Sequence, residues 1–296
     1  MERESGPFTD GELIMDRIHV TVSRRLNCYN RLEIKKIKKL GEEKMDGIFY
    51  GVGVGPGDPE LMTVKAVKTI ETCDILALPV SSGELTEPVF DESGTDSKYE
   101  CYLEKCVAYQ IVLGSGADVS EKAKLYLPMP MMKEKEVLKR LHDKGAEVSE
   151  EYLKKGRNIV FITLGDPTVY STCMYIYKRI YQKGYQTEMI PGVPSFCAAA
   201  ARLDIGLVEN KEELHVIPAS YEIESGLELP GTKVLMKVGK KIPYVKQVVK
   251  EKNMEIKMVE NCGMESERIY SDVEEIPDET SYYSLFIIKE SKAGGK

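Results

Sequence analysis

Two stretches carry residue types suited to chemistry at a backbone turn. In the first, the apolar run Ile48, Phe49, Tyr50, Val52 and Val54 is threaded by Gly51, Gly53, Gly55 and Gly57 and closes on Pro56, Asp58 and Pro59. In the second, NIVFITL (158–164) ends in Gly165-Asp166-Pro167. Glycine lets a chain turn sharply and lets its backbone approach another group closely, so both turns are candidate ligand loops. The generic reading of glycines after a first strand is a dinucleotide site, which requires G-x-G-x-x-G. Counting from Gly51 and Gly53 puts the third glycine at Pro56, and counting from Gly53 and Gly55 puts it at Asp58. A carboxylate there would repel a pyrophosphate, and Asp74 precedes the strand whose end would need an acid for a ribose. The nicotinamide reading therefore fails on register, and a plain tight turn stays open as the alternative. Asp58 itself stands where a helix N-cap is wanted, with Pro59 at the first helical position.

Other reactive side chains form no pattern. The histidines His19, His142 and His215 share no motif and read as surface or strand filler. Cys101 and Cys106 have the spacing C-x4-C, but no second pair or histidine completes a zinc site, so no metal is expected.

The elements that must position the two turns follow from periodicity. Residues 48–54 read as a buried strand, followed by a helix through Leu61, Val64, Ala66, Val67 and Ile70. CDILALPV (73–80) is a second strand. Residues 81–118 turn polar and irregular, opening with SSGELTEPVFDESGTDSKYE, and read as an exposed insertion. A helix is expected from about Lys133 to Lys155, with Val137, Leu138, Leu141, Val148 and Leu153 inward. The strand 158–167 leads to an amphipathic helix within 168–184, closed by Gly184. Beyond a boundary near Pro191–Gly192, strands are expected at 214–219, 233–238, 256–260 and 284–290, with helices at about 195–203 and 242–252. The chain is thus divided into an extension (1–45), an α/β lobe (46–191), a second α/β lobe (192–290) and a tail (291–296). The cleft between the lobes is the expected site.

Composition narrows the classes. A chain of 296 residues can hold two domains, and a net charge of −7 gives no support to nucleic-acid binding. No run reaches the roughly 18 apolar residues of a membrane span, and the N-terminus has no apolar signal core. Seven scattered cysteines suggest free thiols in a reducing compartment, so the cytoplasm is the default expectation. The basic cluster Lys35, Lys36, Lys38 and Lys39 within the extension reads as a solvated, partly helical and flexible segment, with a start codon placed too early as the alternative.

GVGVGPGDPELMTVKAV resembles the first motif of the tetrapyrrole methylases. FITLGDPTVYSTCMYIYKRI (161–180), EMIPGVPSFCAAAARL (188–203), KVLMKVGK (233–240) and the looser VENCGMESERIY (259–270) match further blocks in order, so the resemblance covers about 46–290. LYLPMPM (125–131) is similar to the segment before that family's next helix. TLGDPTVYST with PGVPSF and LMKVG resembles the branch that methylates carbon 20 of precorrin-2, cobalt-loaded or not. The alternatives are a uroporphyrinogen-III or precorrin-4 methylase, or a member that binds cofactor or tetrapyrrole without turnover; the uroporphyrinogen-III enzymes usually carry GGDP where Leu164-Gly165-Asp166-Pro167 stands here.

The resemblance implies a two-lobed α/β fold of the class III methyltransferase kind, with mixed sheets, flanking helices and an interlobe cleft. It implies a homodimer that uses S-adenosylmethionine on a tetrapyrrole. Pro56, Gly165, Asp166, Val169, Pro194, Ser195, Met236 and Cys262 would then hold the cofactor, with Asp166 reaching its polar groups. Such a cofactor brings its own leaving group, so no protein nucleophile is needed; alignment and exclusion of water are. A polycarboxylate substrate on an acidic chain requires a cationic patch, for which Arg202, Lys237, Lys240, Lys241 and Arg268 are candidates, beside the loop residues Gly55 and Gly57. By position alone, and not by the resemblance, Asp58 and Tyr170 are the candidates to remove the proton from the methylated carbon, unless Asp58 is consumed as a cap.

Overall fold

In this computed structural model the described residues are 45–219 and 223–291. From Asp46 on they belong to one compact unit. The extension up to Lys44 with its basic cluster and His19, and the tail residues 292–296, lie outside the described residues.

The apolar run at 49–53 becomes β1 (Phe49–Gly53), a central strand with parallel neighbours on both sides. A strand covered on both faces must be apolar throughout, which is why this stretch shows no polar alternation. The first sheet runs β3 (Val89–Asp91), β4 (Ala123–Pro128), β2 (Ile75–Val80), β5 (Ile159–Thr163), β1, β6 (Thr187–Ile190). Only β3 is antiparallel to its neighbour, at the edge. One face carries Val52, Leu76, Leu78, Val160 and Ile162 against helices α1 (Val64–Thr72) and α3 (Val107–Gly114). The other carries Phe49, Ala77, Leu125 and Phe161 against α4 (Lys135–Leu153) and α5 (Cys173–Gln182). The short α2 (Glu100–Lys105) precedes α3.

The second sheet runs β10 (Arg268–Tyr270), β9 (Met254–Glu260), β11 (Ser284–Glu290), β8 (Thr232–Met236), β7 (Leu214–Pro218). Only β7 and β8 are parallel. Alternation along β8 and β11 is strict. Val234, Leu285 and Ile287 face α6 (Ser195–Arg202), while Leu235, Phe286 and Ile288 face α8 (Ile242–Glu251). The one-turn α7 (Glu224–Leu227) sits on the α8 side.

Two expectations are corrected. The segment 81–118 is not an irregular excursion: Ala108, Tyr109, Ile111 and Val112 of α3 are buried in the core of the first sheet. Its polar opening masks the apolar run VAYQIVL, which contains enough hydrophobic surface to drive helix docking. His142 is no surface or strand residue. It is buried on α4 with its ring stacked 4.5 Å from that of Tyr175, and burial lowers its pKa, helped by Arg179.

Candidate active site

Three glycines from three strand ends meet backbone to backbone. A Cβ on Gly53 would lie 2.5 Å from the Gly165 carbonyl oxygen and 2.7 Å from the Gly192 nitrogen; one on Gly192 would lie 2.2 Å from that same oxygen. No side chain fits there, so the β1, β5 and β6 ends close into one floor. Gly55 and Gly165 hold each other by reciprocal N–H···O bonds of 3.2 and 2.7 Å, both with positive φ (82° and 69°), which suits glycine. Gly57 presses on the other sheet's loops, where its Cβ would meet the Cys262 carbonyl oxygen at 2.2 Å.

Asp166 stitches the floor. Its Oδ2 accepts from the Gly192 N–H at 3.0 Å, and its Oδ1 accepts from the Thr168 N–H at 2.8 Å and from the Thr168 hydroxyl. A buried carboxylate needs such donors, and here the protein supplies them. Downstream, the Thr163 and Ser171 hydroxyls pair at 2.8 Å and Ser171 Oγ receives the Cys173 N–H, starting α5. Tyr170 sits at φ 49°, a conformation costly for a side chain of its size, and its hydroxyl donates to the Val216 carbonyl of β7 at 3.0 Å. That bond ties the loop after β5 to the second sheet.

The second sheet contributes Met236 at the end of β8 and Lys237, again at positive φ (61°), with its ammonium 5.6 Å from the Tyr282 ring centre. Burial, reinforced by Glu267, pushes the Cys262 thiol up to about 11. The segment before β11 is strapped down by β9's end: Glu260 Oε1 accepts from the Ser281 N–H at 2.5 Å, and the Asn261 N–H donates to the Tyr283 carbonyl at 3.1 Å. Tyr282 and Tyr283 thereby reach the site.

Between these elements lies a cavity of about 470 Å³. It is lined by Pro56, Gly165, Asp166, Val169, Tyr170, Pro194, Ser195, Met236, Lys237 and Cys262, all singled out in the sequence. The other sequence candidates lie elsewhere. Gly55 and Gly57 build the loop without lining the cavity. Asp58, a candidate base, instead caps the turn Pro59–Leu61, its Oδ1 accepting from the Glu60 N–H at 2.9 Å. The preference of Asp-Pro for an N-cap outweighs a catalytic placement. Arg202, a candidate for substrate binding, gives Nε and Nη2 to Glu267 Oε1 at 2.8 and 2.6 Å. Glu267 Oε2 receives the Gly263 N–H, so this arginine braces the Cys262 turn. Lys240 is exposed outside the lining.

The remaining walls were not read from the sequence: Lys105 to Ala108, Met129, Met131, Tyr282 and Tyr283. They come from α2–α3, the end of β4 and the β11 strap, which carry no glycine turn. The available signal was the apolar run at 107–113. Among the described residues no group of three or more His, Cys, Asp or Glu side chains is arranged to hold a metal, and the six cysteines are free thiols. No helix among them is long and apolar enough to cross a membrane.

Comparison with known proteins is consistent across sequence and fold. A probable cobalt-precorrin-2 C(20)-methyltransferase of Methanocaldococcus jannaschii is 33% identical over 249 residues, covering 82% of this chain and 96% of that protein. A precorrin-2 C(20)-methyltransferase of Sinorhizobium sp is 27% identical over 253 residues, 82% of this chain and 95% of that one. Among solved structures, a cobalt precorrin-4 methyltransferase matches with TM-score 0.60 at 19% identity, covering 82% of this chain and 94% of that chain. A uroporphyrin-III C-methyl transferase from Thermus thermophilus complexed with S-adenyl homocysteine matches with TM-score 0.56 at 18% identity, covering 82% and 98%. The model of the Tetrapyrrole (Corrin/Porphyrin) Methylases matches residues 49–277, and the chain belongs to that family.

Proposed function

We propose that this chain transfers one methyl group from S-adenosylmethionine to carbon 20 of precorrin-2 or its cobalt-loaded form, in cobalamin biosynthesis, and works as a homodimer. The observation that carries the reading is the convergence of Pro56, Gly165, Pro194–Ser195, Met236 and Cys262, from five separate motifs, on one cavity. The names of the relatives that match over most of both chains supply the substrate.

The residues present suit the cofactor. At about 470 Å³ the cavity falls within the roughly 300–1,000 Å³ of small-molecule sites. Around the motif turns it offers backbone, proline, methionine and a neutral thiol, surfaces that suit an uncharged adenosine. When bound, S-adenosylmethionine supplies an electrophilic methyl group with its own leaving group. The chain's part is to hold, align and keep dry. The glycine floor and Asp166 fix the Gly165 and Gly192 turns, Met236 and Cys262 close the opposite side, and the Tyr170–Val216 bond keeps the two sheets in register. Alignment of this kind supplies rate without an acid–base constellation. Of the two expected proton acceptors only Tyr170 lines the cavity; its hydroxyl donates to the Val216 carbonyl, and its oxygen keeps lone pairs that can accept a hydrogen bond from the substrate.

The test is incubation with S-adenosylmethionine and precorrin-2, with and without cobalt. Mass spectrometry should count one added methyl, and NMR with a carbon-13 methyl donor should locate it at carbon 20. A methyl found on another carbon would move the chain to another branch of the family, and no transfer to any tetrapyrrole would sink the proposal.

A further inference from the structure

The charged side chains of the cavity lining are Lys105, Asp166 and Lys237. Asp166 is satisfied by Gly192 and Thr168, which leaves Lys105 and Lys237 as the lining's two cationic residues. Neither lysine is in an ion pair with a carboxylate among the described residues. They come from different walls: Lys237 follows β8 of the second sheet, whereas Lys105 ends α2 on the first-sheet side. The same lining also carries Pro79, Val107, Met129, Met131 and Tyr283.

Lys105 is presented from a fixed corner. Cys106, next to it, is buried; its N–H donates to the Leu103 carbonyl at 3.2 Å, and its carbonyl receives the Tyr109 and Gln110 N–H groups at 2.9 and 3.1 Å. The Gln110 side chain also donates to the Leu103 carbonyl, at 2.9 Å. The backbone is therefore held by a docked helix, while the lysine itself is exposed at the cavity wall. A pre-positioned cation loses less freedom when it meets an anion.

We infer that Lys105 binds a peripheral carboxylate of the tetrapyrrole and is a specificity residue for the macrocycle. For its ligand class this rests on the function proposed above. An apolar floor suits the face of a macrocycle, and cations on two walls suit carboxylates around its rim.

The test measures binding without turnover. The full chain is titrated with uroporphyrin III, a stable polycarboxylate macrocycle, by fluorescence, and separately with S-adenosylhomocysteine by calorimetry. Lys105→Ala should weaken uroporphyrin binding about fivefold and Lys105→Glu about tenfold or more, Lys105→Arg should stay within about twofold, and the differences should shrink in high salt. S-adenosylhomocysteine binding should not change, which also verifies folding. Lys139→Glu, outside the lining, controls for net charge. Lys105→Glu binding like the parent, Lys139→Glu weakening binding equally, or no saturable binding by the parent each overturns the inference. If Lys105 governs macrocycle binding but precorrin-2 is never methylated, the inference stands and the proposed reaction falls. If precorrin-2 is methylated while Lys105 variants bind as the parent does, the inference alone falls.

Discussion

Replacing Asp166 by asparagine exchanges one carboxylate oxygen for an amide group and leaves the shape intact. In the structure Oδ2 accepts from the Gly192 N–H at 3.0 Å and Oδ1 from the Thr168 N–H at 2.8 Å, at a side chain only 7% exposed. An amide has one acceptor oxygen, so whichever way it flips, its NH2 group points at one of these two N–H donors. A buried donor left without an acceptor costs about 1–3 kcal/mol, and the surviving bond loses its charge assistance, worth about 1 kcal/mol more. The expected loss is about 2–4 kcal/mol, or roughly 5–15 °C in Tm for a chain of this size. Because Gly165 and Gly192 form one floor, the loosened turn should also weaken S-adenosylhomocysteine binding by ten- to a hundredfold, on the order seen when a site is displaced by about 1 Å. Thermal unfolding followed by circular dichroism and calorimetric titration give the two readouts. A Tm held within about 1 °C of the parent would refute the reasoning that this carboxylate restrains the loops. If cofactor binding were nonetheless lost, Asp166 would be contacting the cofactor directly.

Three further outcomes are expected. Lys237→Glu should raise the tetrapyrrole KM about tenfold with little change in that of the cofactor, whereas Lys240→Glu, outside the lining, should change neither by more than about twofold; equal effects would reject the distinction. Lys233 is fully buried, its ammonium lacks a hydrogen bond, and its nearest carboxylate, Glu290, lies at 3.6 Å and is mostly exposed, so Lys233→Met should raise Tm by about 2–4 °C. A fall in Tm would show that this ammonium is stabilising. Burial holds the Cys106 and Cys262 thiols up to about 11, so at pH 7.5 they stay protonated; peptide mapping after iodoacetamide treatment should find exposed Cys101 labelled well before either, and labelling of both should accelerate only as pH approaches 11.

Much of the frame was legible in the chain because it is written locally. Apolar runs ending in glycine marked β1 and β5, and the short apolar runs at 233–238 and 284–290 marked β8 and β11, because a strand buried on both faces leaves few other sequences possible. The motif turns at Pro56, Gly165, Pro194, Met236 and Cys262 were identified by pattern before any packing was known. Which of them face the same space was not written there. That depends on Gly53, Gly165 and Gly192 closing on one another across more than a hundred residues of chain, a contact set by backbone approach that single positions do not encode.

The tertiary structure also sorted residues of like type into unlike roles. Asp58 and Asp166 each follow a glycine and precede a proline, yet one caps a turn at the surface and the other is buried between two loops. Arg202 and Lys237 are both cations within matched motifs, but Glu267 lies within reach of the first and no carboxylate pairs with the second among the described residues. Charge is a property of the residue; whether it is free to meet a ligand depends on its neighbours, and long-range neighbours are chosen by the fold. For the same reason Lys105 was hidden in a polar segment until the burial of α3 brought it to the cavity wall.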